Sequence, residues 1–327
     1  MSLSALKVFS QYAKGSMTEV LLQQVDLFNA ATSGGITLVV KQNDGDFSDF
    51  SFWKKLEGIV RRRNAYGTGT VSALSLEQLL DTSVKIAAGT PPVNIPPSEM
   101  KWILKDPKES AAVYGQQLAK GQMADMLNAA ISAVRAALVQ NGVATYLDAK
   151  TGKYTWITNN SAAAKFGDRA SNLVCNVMHS KVYFDVIEGN LTNAANLFTF
   201  GGVRIQADPM GRPLVITDSP DLINPTGIVA TEGSEVPSYY SLMLVSGAVS
   251  VNDNGDFEQN IETKNGGENI ERTVQSEWSF NLGVKGFAWD KTNGGKSPTT
   301  AALGTGTNWD KYASDTKDLA GVVIETK

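Results

Sequence analysis

Hydrophobic positions repeat at helical spacing over a long stretch in the first half of the chain, at residues 107–140. Asp106 and Pro107 provide an N-cap and a first-turn proline, and Asn141-Gly142 provides a left-handed stop. The apolar stripe between these signals consists of Val113, Leu118, Met123, Leu127, Ala130, Ile131, Val134 and Leu138. Such a helix is about 50 Å long, close to the diameter of a compact globule of this chain length, so we expect a flat or elongated molecule.

The segments before this helix follow two other patterns. The apolar positions of residues 1–30 predict two short helices, broken at Gly15. Residues 36–97 consist of short apolar runs between polar turns, which predict strands at ITLVV, FSFW, GTVSAL and SVKIA. Isolated hairpins are only marginally stable without a packing partner, so we expect this region to contact something outside its own core.

The second half of the chain mixes helices and strands. Residues 143–158 predict a hairpin, and a helical region is predicted from Ser161 through Glu188. Further strands are predicted at GGVRIQ, RPLVIT, YYSLMLV, FEQNIETK, NIERTVQSEW and SFNLGVKGFAW. The run Val322–Ile324 is predicted to close the chain as an edge strand. These elements together predict the α+β class.

Composition limits the classes of protein to which this chain can belong. The 327 residues include a single cysteine, Cys175, which excludes an intramolecular disulfide framework. No apolar run approaches the ~20 residues of a membrane-spanning helix, so we expect no membrane partner and synthesis in a reducing cytoplasm. The net charge of −4 argues against a surface that grips phosphates, so any DNA is expected to be contained rather than read by sequence.

The sequence carries no combination of residues that predicts a catalytic, cofactor or metal site. His179 is the single histidine, lies in a helical pattern and is expected to pack rather than to catalyse. The run Gly295–Ser297 lacks the upstream glycine of a phosphate loop, and Asp44, Asp46 and Asp49 lack the glycine and glutamate of a calcium hand. We therefore expect a protein without cofactor, metal or enzymatic activity, with a cytoplasmic α+β hydrolase as the enzymatic alternative.

Charge is distributed unevenly between two segments. Residues 51–63 carry a net charge of +4, and residues 251–290 carry −5. The candidate contact residues in these segments are Lys54, Lys55, Arg61, Arg62 and Arg63, and Glu258, Glu262, Glu268 and Glu271. Opposite charges on two extended segments favour contact between neighbouring copies of the chain. Two solvated faces are an equally good interpretation, because exposed ion pairs contribute only ~0–1 kcal/mol each.

Three stretches of the chain resemble the major capsid proteins of tailed bacteriophages. They are SVKIAAGTPPVNIPPSEMKWI at residues 83–103, KFGDRASNLVCNVMHSKVYFDVIEG at residues 165–189 and MGRPLVITDSPDL at residues 210–222. The order of the predicted elements is also similar to that family, and the resemblance covers most of the chain. It implies an α+β capsid fold with an N-terminal arm (1–35), an extended β loop (36–97), a peripheral domain (98–157) with a spine helix (107–140), an axial domain (158–251) and a β-rich return to the peripheral domain (252–327).

The resemblance implies a structural role. A chain of this family is expected to self-assemble through hexamers and pentamers into an icosahedral shell that encloses double-stranded DNA in the virion. The implied partners are other copies of the chain, a portal protein and the enclosed DNA without sequence-specific binding. Two alternatives stay open for the others: a separate scaffolding protein or none, and a shell with or without a cement or decoration protein. Assembly is expected in the cytoplasm of the bacterial host. An encapsulin-like nanocompartment shell, which resembles the same fold, is the alternative.

The same resemblance assigns roles to particular residues. The arm and the extended loop are expected to lie over adjacent subunits and thereby to bury Phe50, Phe52 and Trp53. One sequence must serve both hexamers and pentamers, so hinges are expected at Gly34, Gly35, Gly115 and Gly121. No Lys–Asn pair in the sequence matches the crosslink of some relatives, which predicts a shell held by noncovalent contacts.

Overall fold

A computed structural model describes residues 3–41, 43, 45–53, 60–189, 195–200, 203–207, 211–229, 235–266 and 270–327. The α-helices are α1 (Leu3–Ala31), α2 (Pro97–Lys105), α3 (Pro107–Gln140), α4 (Trp156–Ala163), α5 (Ser180–Gly189) and α6 (Thr300–Leu303). The strands are β1 (Ile36–Val40), β2 (Phe47–Trp53), β3 (Gln78–Gly89), β4 (Val93–Asn94), β5 (Tyr146–Ala149), β6 (Leu173–Met178), β7 (Ala195–Phe200), β8 (Val203–Ala207), β9 (Pro213–Ile216), β10 (Ile223–Val229), β11 (Glu235–Val245), β12 (Val249–Asp253), β13 (Glu258–Lys264), β14 (Glu271–Val284), β15 (Phe287–Trp289), β16 (Trp309–Lys311) and β17 (Gly321–Thr326). This mixture confirms the α+β class.

Helix α3 is the long element that the sequence predicts, with the predicted bounds. The side chain of Asp106 accepts hydrogen bonds from the backbone N–H groups of Lys108 and Glu109, both at 3.1 Å. At the other end, Gly142 adopts a left-handed φ of 67° and turns the chain away from the helix axis. The helix contacts α1 and strands β12, β14 and β17, so it lies against most other parts of the molecule.

Helix α1 is continuous, so the prediction of two helices broken at Gly15 is wrong. Its buried positions recur every fourth residue on both sides of this glycine: Phe9, Ala13, Met17, Leu21 and Val25. The stripe packs along α3. A helical glycine costs about 1 kcal/mol, whereas burial of each large apolar side chain contributes ~1.5–3 kcal/mol, so packing keeps the helix intact through Gly15.

The first sheet is built around the long strand β14. Strands β12 and β13 pair in succession with one edge of β14, and β3 and β4 pair with its other edge, all in antiparallel orientation. β1 lies parallel to β12, and β15 and β16 extend the sheet from the end of β14. Because α3 contacts both β12 and β14, the sheet lies beside the long helix.

An extended hairpin projects from this sheet. β2 pairs with β3 as far as Trp53 opposite Gln78, whereas β3 pairs with β14 only from Val84 to Gly89. Residues 60–77, all in the described part of the chain, form no strand, so the prediction of a strand at GTVSAL is wrong. Each of these residues is exposed, and none of them pairs with a strand in the part of the chain that the structure describes.

The second sheet has the strand order β5-β17-β11-β6-β9-β8-β7, with β10 on β11. β17 lies between β5 and β11 and is buried along its length, so Val322–Ile324 belongs to an interior strand and not to an edge. Residues 143–158 form no hairpin, because β5 pairs in parallel with β17 and α4 begins at Trp156. β6 occupies part of the predicted helical region 161–188, since a short buried apolar run looks alike in a strand and in a helix.

The two sheets draw on distant parts of the chain. Both β5 and β17 join the second sheet from outside residues 158–251, and β12 crosses the end of that range at Val249–Asp253. The chain therefore returns to the second sheet at its C-terminal strand. The assignment of the sheets to an axial and a peripheral domain stays a prediction.

Candidate inter-subunit contact surfaces

The basic segment lies beyond the stem of the β2–β3 hairpin. Arg61, Arg62 and Arg63 are exposed and belong to the strandless loop 60–77, which we call the basic loop. Within the described part of the chain, none of the three forms an ion pair. The other predicted cations, Lys54 and Lys55, lie outside the described residues. The basic loop therefore presents free positive charge to its surroundings.

Large apolar side chains are exposed on the hairpin stem. Phe50 is 71% exposed and Trp53 is 62% exposed. They lie on opposite faces of β2, because side chains alternate along a strand. The side chain of Phe52 lies outside what the structure describes. Both faces of the stem thus leave aromatic surface in water that a neighbouring molecule is able to cover.

The acidic segment forms one face of the β13–β14 hairpin, which we call the acidic hairpin. Glu258 lies directly opposite Glu277. Glu262 lies on the same face of β13, four residues further along the strand. These three side chains, all exposed, line a shallow groove on the surface. Glu271 lies opposite Lys264 at the distal end. The remaining predicted acid, Glu268, lies outside the described residues.

The strand register leaves this face with uncompensated negative charge. Like charges directly opposite one another, such as Glu258 and Glu277, destabilise an antiparallel pair. In the described residues no lysine or arginine lies within ion-pair distance of Glu258, Glu262 or Glu277. Sequence reasoning missed Glu277, because only the register of β14 brings it to Glu258. A cationic partner would therefore stabilise the acidic hairpin.

The two charged segments lie at opposite ends of one sheet. Gly89 on β3 lies opposite Glu277, and Glu277 lies opposite Glu258 on its other side. The stem ends at Gln78, eleven positions along β3 from Gly89, which is about 36 Å at ~3.3 Å per residue. β13 runs from Glu258 in the other direction along β14. The stem of the basic loop and the acidic hairpin of one copy therefore point away from each other.

Two lysines of a later loop hold the base of the β2–β3 hairpin. Lys291 Nζ lies 2.6 Å from Asp49 Oδ2, and Lys296 Nζ lies 2.8 Å from Asp46 Oδ2. Thr82 Oγ1 also donates to Asp49, at 2.8 Å. The hydrogen bond from Lys291 lowers the pKa of Asp49, and the hydrogen bond from Lys296 lowers the pKa of Asp46. These contacts join the base of the hairpin to the loop that follows β15.

The four hinge candidates have different environments. Gly34 lies three residues past the end of α1 and has a left-handed φ of 71°, and a Cβ on Gly35 would lie 2.3 Å from Cys175 Sγ. A Cβ on Gly115 would lie 2.6 Å from a carbonyl oxygen of α1, whereas one on Gly121 would meet nothing within 4 Å. α3 is continuous through both of its glycines. Gly35 and Gly115 thus permit close packing, and a hinge role for any of the four stays a prediction.

A buried carboxylate ties β17 to the strands around it. Glu325 is 2% exposed and accepts hydrogen bonds from Tyr146 Oη, from Ser238 Oγ and, at 3.1 Å, from Asn224 Nδ2. Lys150 Nζ lies 3.6 Å from the same carboxylate. Burial and the contact with Glu325 raise the pKa of Tyr146. This cluster links β5, β10, β11 and β17 inside the second sheet.

Other reactive side chains have structural surroundings. Burial raises the pKa of the Cys175 thiol to about 12. His179 follows the end of β6, contrary to the predicted helical position, and its Nδ1 accepts a hydrogen bond from the backbone N–H of Lys181 at 3.1 Å. Among the residues that the structure describes, no group of three or more His, Cys, Asp or Glu side chains is placed to hold a metal ion. No helix in that part of the chain has the length and apolar content needed to cross a membrane.

Solved phage structures share this fold. The capsid of Ralstonia phage GP4 aligns with a TM-score of 0.51 at 12% identity, over 89% of this chain and 87% of that chain. The head structure of Helicobacter pylori bacteriophage KHP40 aligns with a TM-score of 0.52 at 10% identity, over 90% and 87% of the two chains. A structure from Mycobacterium phage Cain aligns with a TM-score of 0.50 at 12% identity, over 91% and 89%. At these identities the likeness establishes the fold.

The family comparison covers nearly the whole chain. No curated protein matches the sequence. The family described as "Gp13-like: Major capsid protein 13-like" matches residues 5–323. This match and the shared fold confirm the resemblance to phage major capsid proteins and place the chain in the capsid of a virion. The chain is therefore a capsid shell protein that belongs to the Gp13-like family of major capsid proteins.

Proposed function

We propose that the chain self-assembles through hexamers and pentamers into an icosahedral shell around double-stranded DNA. The observation that carries this proposal is the placement of opposite charges at the two ends of one sheet. Complementary surfaces at opposite ends of a subunit join copies head to tail, and such contacts generate rings when the rotation between copies closes. Rings of five and six copies are the units from which an icosahedral shell is built.

The basic loop of one copy is the proposed partner of the acidic hairpin of the next copy. The cations at residues 61–63 would then lie close to the exposed carboxylates of Glu258 and Glu262. Each exposed ion pair contributes only ~0–1 kcal/mol. A closed shell engages every copy with several neighbours at once, so weak individual contacts add up to a stable assembly.

Aromatic side chains on the hairpin stem would strengthen this contact. When the stem lies over an adjacent copy, Phe50 and Trp53 leave water, and full burial contributes ~1.5–3 kcal/mol per side chain. Charge complementarity mainly selects the partner and its orientation. The apolar stem thus supplies affinity, and the charged ends supply direction.

The charge of the chain suits a container for DNA. The net charge is −4, and an inner surface that bound phosphates tightly would hinder the packing and release of DNA. The proposed role is structural and without enzymatic activity, with assembly in the bacterial host cytoplasm. The proposed partners besides DNA are a portal protein, a scaffolding protein and a cement protein. The family match is to major capsid proteins and gives no added support to an encapsulin-like compartment.

Expression of the chain alone, followed by sedimentation velocity and negative-stain microscopy, tests the proposal. The expected products are rings of five or six copies, or closed shells. A chain that stays monomeric at high concentration, with and without added phage scaffolding protein, contradicts the proposal. Shells that enclose host protein in place of nucleic acid would favour the encapsulin alternative.

Charge reversal identifies the surfaces that meet. Substitution of Arg61, Arg62 and Arg63 by Glu is expected to prevent assembly, because both partners are then acidic. Additional substitution of Glu258, Glu262 and Glu277 by Lys in the same chain is expected to restore assembly. The matched control substitutes Lys7, Lys101 and Lys105 by Glu, three exposed cations on α1 and α2. If this control fails to assemble as well, overall charge is the cause and the assigned surfaces are wrong.

A further inference from the structure

The outer edge of β13 is an open strand edge. On β14, the carbonyl oxygens of Arg272 and Ser276 accept hydrogen bonds from residues on the β3–β4 side. The odd-numbered residues of β14 therefore face β13 and pair with its even-numbered residues. Consequently Gln259, Ile261 and Thr263 direct their backbone N–H and C=O groups outward, away from β14.

Helix α1 covers only the beginning of this edge. Lys14 Nζ donates to the carbonyl oxygen of Phe257 at 3.1 Å, and Ser10 Oγ donates to the side chain of Gln259 at 2.9 Å. Within the described part of the chain, no hydrogen bond reaches the outward backbone groups of Ile261 and Thr263. The edge beyond α1 is thus available to a strand from another molecule.

The side chains along the edge restrict which strand can pair with it. Glu258 and Glu262 disfavour pairing between the β13 edges of two copies, since acids would then face acids. The acidic face requires cations on the incoming strand. The opposite face carries Ile261, which is partly buried against the small core formed by α1, α2 and β14, and favours an apolar neighbour.

We infer that residues 60–63 of a second copy add as a strand to the outer edge of β13, an inference that rests on the proposed function. Arg61 and Arg63 would share one face of the added strand, about 6.7 Å apart, which is the spacing of successive side chains on the acidic face. Val60 and Arg62 would share the other face. Val60, 88% exposed in a single copy, then lies beside Ile261. Arg61 and Arg63 thus match the acidic face of the edge, and Val60 matches its apolar side chain.

The alternation of side chains makes a prediction that charge attraction alone does not make. Arg61→Glu and Arg63→Glu are each expected to raise the protein concentration needed for assembly at least tenfold. Arg62→Glu makes the same change in charge on the other face and is expected to raise it less than threefold. Sedimentation across a concentration series measures all three. Equal effects at the three positions would overturn the strand geometry.

A backbone substitution tests the added hydrogen bonds directly. Thr263→Pro removes an outward N–H and leaves the pairing of β13 with β14 intact, since proline is tolerated on an edge strand. Thr263→Val keeps that N–H and is the matched control. Assembly is expected to be lost with proline and retained with valine. Circular dichroism of the dissociated variants checks that both are folded.

Hydrogen exchange on the unmodified protein provides a readout that needs no variant. The amides of Ile261 and Thr263 are expected to exchange freely below the assembly concentration and at least tenfold more slowly in assembled protein. Normal assembly with unprotected amides, together with full assembly of Thr263→Pro, overturns strand addition and leaves side-chain ion pairs as the contact. Absence of assembly by the unmodified chain instead contradicts the proposed function itself.

Discussion

Gly115 and Gly121 lie on the same helix and give a matched test of how closely α1 and α3 pack. A Cβ at Gly115 would lie 2.6 Å from the carbonyl oxygen of Ala13 and 3.1 Å from the backbone nitrogen of Met17. A Cβ at Gly121 would meet nothing within 4 Å. Gly115→Ala and Gly121→Ala therefore make one chemical change with and without a neighbouring backbone.

The structure sets the size of the difference. Alanine is better than glycine inside a helix by about 1 kcal/mol, so Gly121→Ala is expected to stabilise the protein by about that amount. At Gly115 the same gain is offset by overpacking, which costs ~1–3 kcal/mol. The atoms that would be struck belong to the backbone of α1, which cannot rotate away as a side chain does. The cost of overpacking at Gly115 therefore lies toward the upper end of that range. Gly115→Ala is expected to destabilise the protein by a net ~1–2 kcal/mol.

Thermal unfolding of the dissociated protein measures this difference. A change of 1 kcal/mol shifts Tm by about 2 °C in a domain of this size, so the two variants are expected to differ by ~4–6 °C. A Tm for Gly115→Ala equal to or above that for Gly121→Ala would refute the close-packing argument. If Gly121 is a hinge, Gly121→Ala should keep its gain in stability and lose assembly.

Three further predictions concern buried and anchored groups. Glu325→Ala is expected to destabilise the protein by ~3–5 kcal/mol, because the buried donors around this carboxylate lose their acceptor. Denaturant unfolding measures the loss, and a value below about 1 kcal/mol contradicts the assigned role. The lowered pKa of Asp49 means that its contribution to stability is present above the unfolded-state pKa and is lost as the pH falls through the lower, folded-state pKa. Lys291→Gln is therefore expected to weaken the fall in Tm below about pH 4, and an unchanged Tm profile argues against the contact. Cys175 is expected to resist thiol reagents in the folded protein and to react fully in denaturant, so rapid labelling of the folded chain would show that it is not buried.

Helix ends can be predicted from the sequence where a cap or a stop residue close by in the chain determines them. The bounds of α3 could be predicted because the Asp106 cap and the Gly142 stop each act within a few positions. Elements whose form depends on tertiary packing could not be predicted in this way. The stripe that packs on α3 carries α1 through Gly15, and burial on both faces makes β6 resemble a helix segment.

The charged segments could be identified from the sequence, but their neighbours could not. The net charge of a segment is a local property. The opposition of Glu258 and Glu277, and the anchoring of Asp49 by Lys291, join residues that are distant in the chain and depend on strand register. A shift of one residue in β14 would move Glu277 to the other face of the sheet.

The length of β3 explains why the charges of one chain do not satisfy each other. Hydrogen bonds hold β3, β14 and β13 in fixed register, so the distance from Gln78 to Glu258 is set by the number of residues in β3. A shorter β3 would let the basic loop fold back onto the acidic hairpin of its own copy. Both charges would then be compensated within one molecule, and the contact that we propose between copies would lose its electrostatic driving force. In the structure the stem ends eleven positions along β3 from Gly89, about 36 Å away, so the basic loop leaves the sheet at the end that is far from the acidic hairpin.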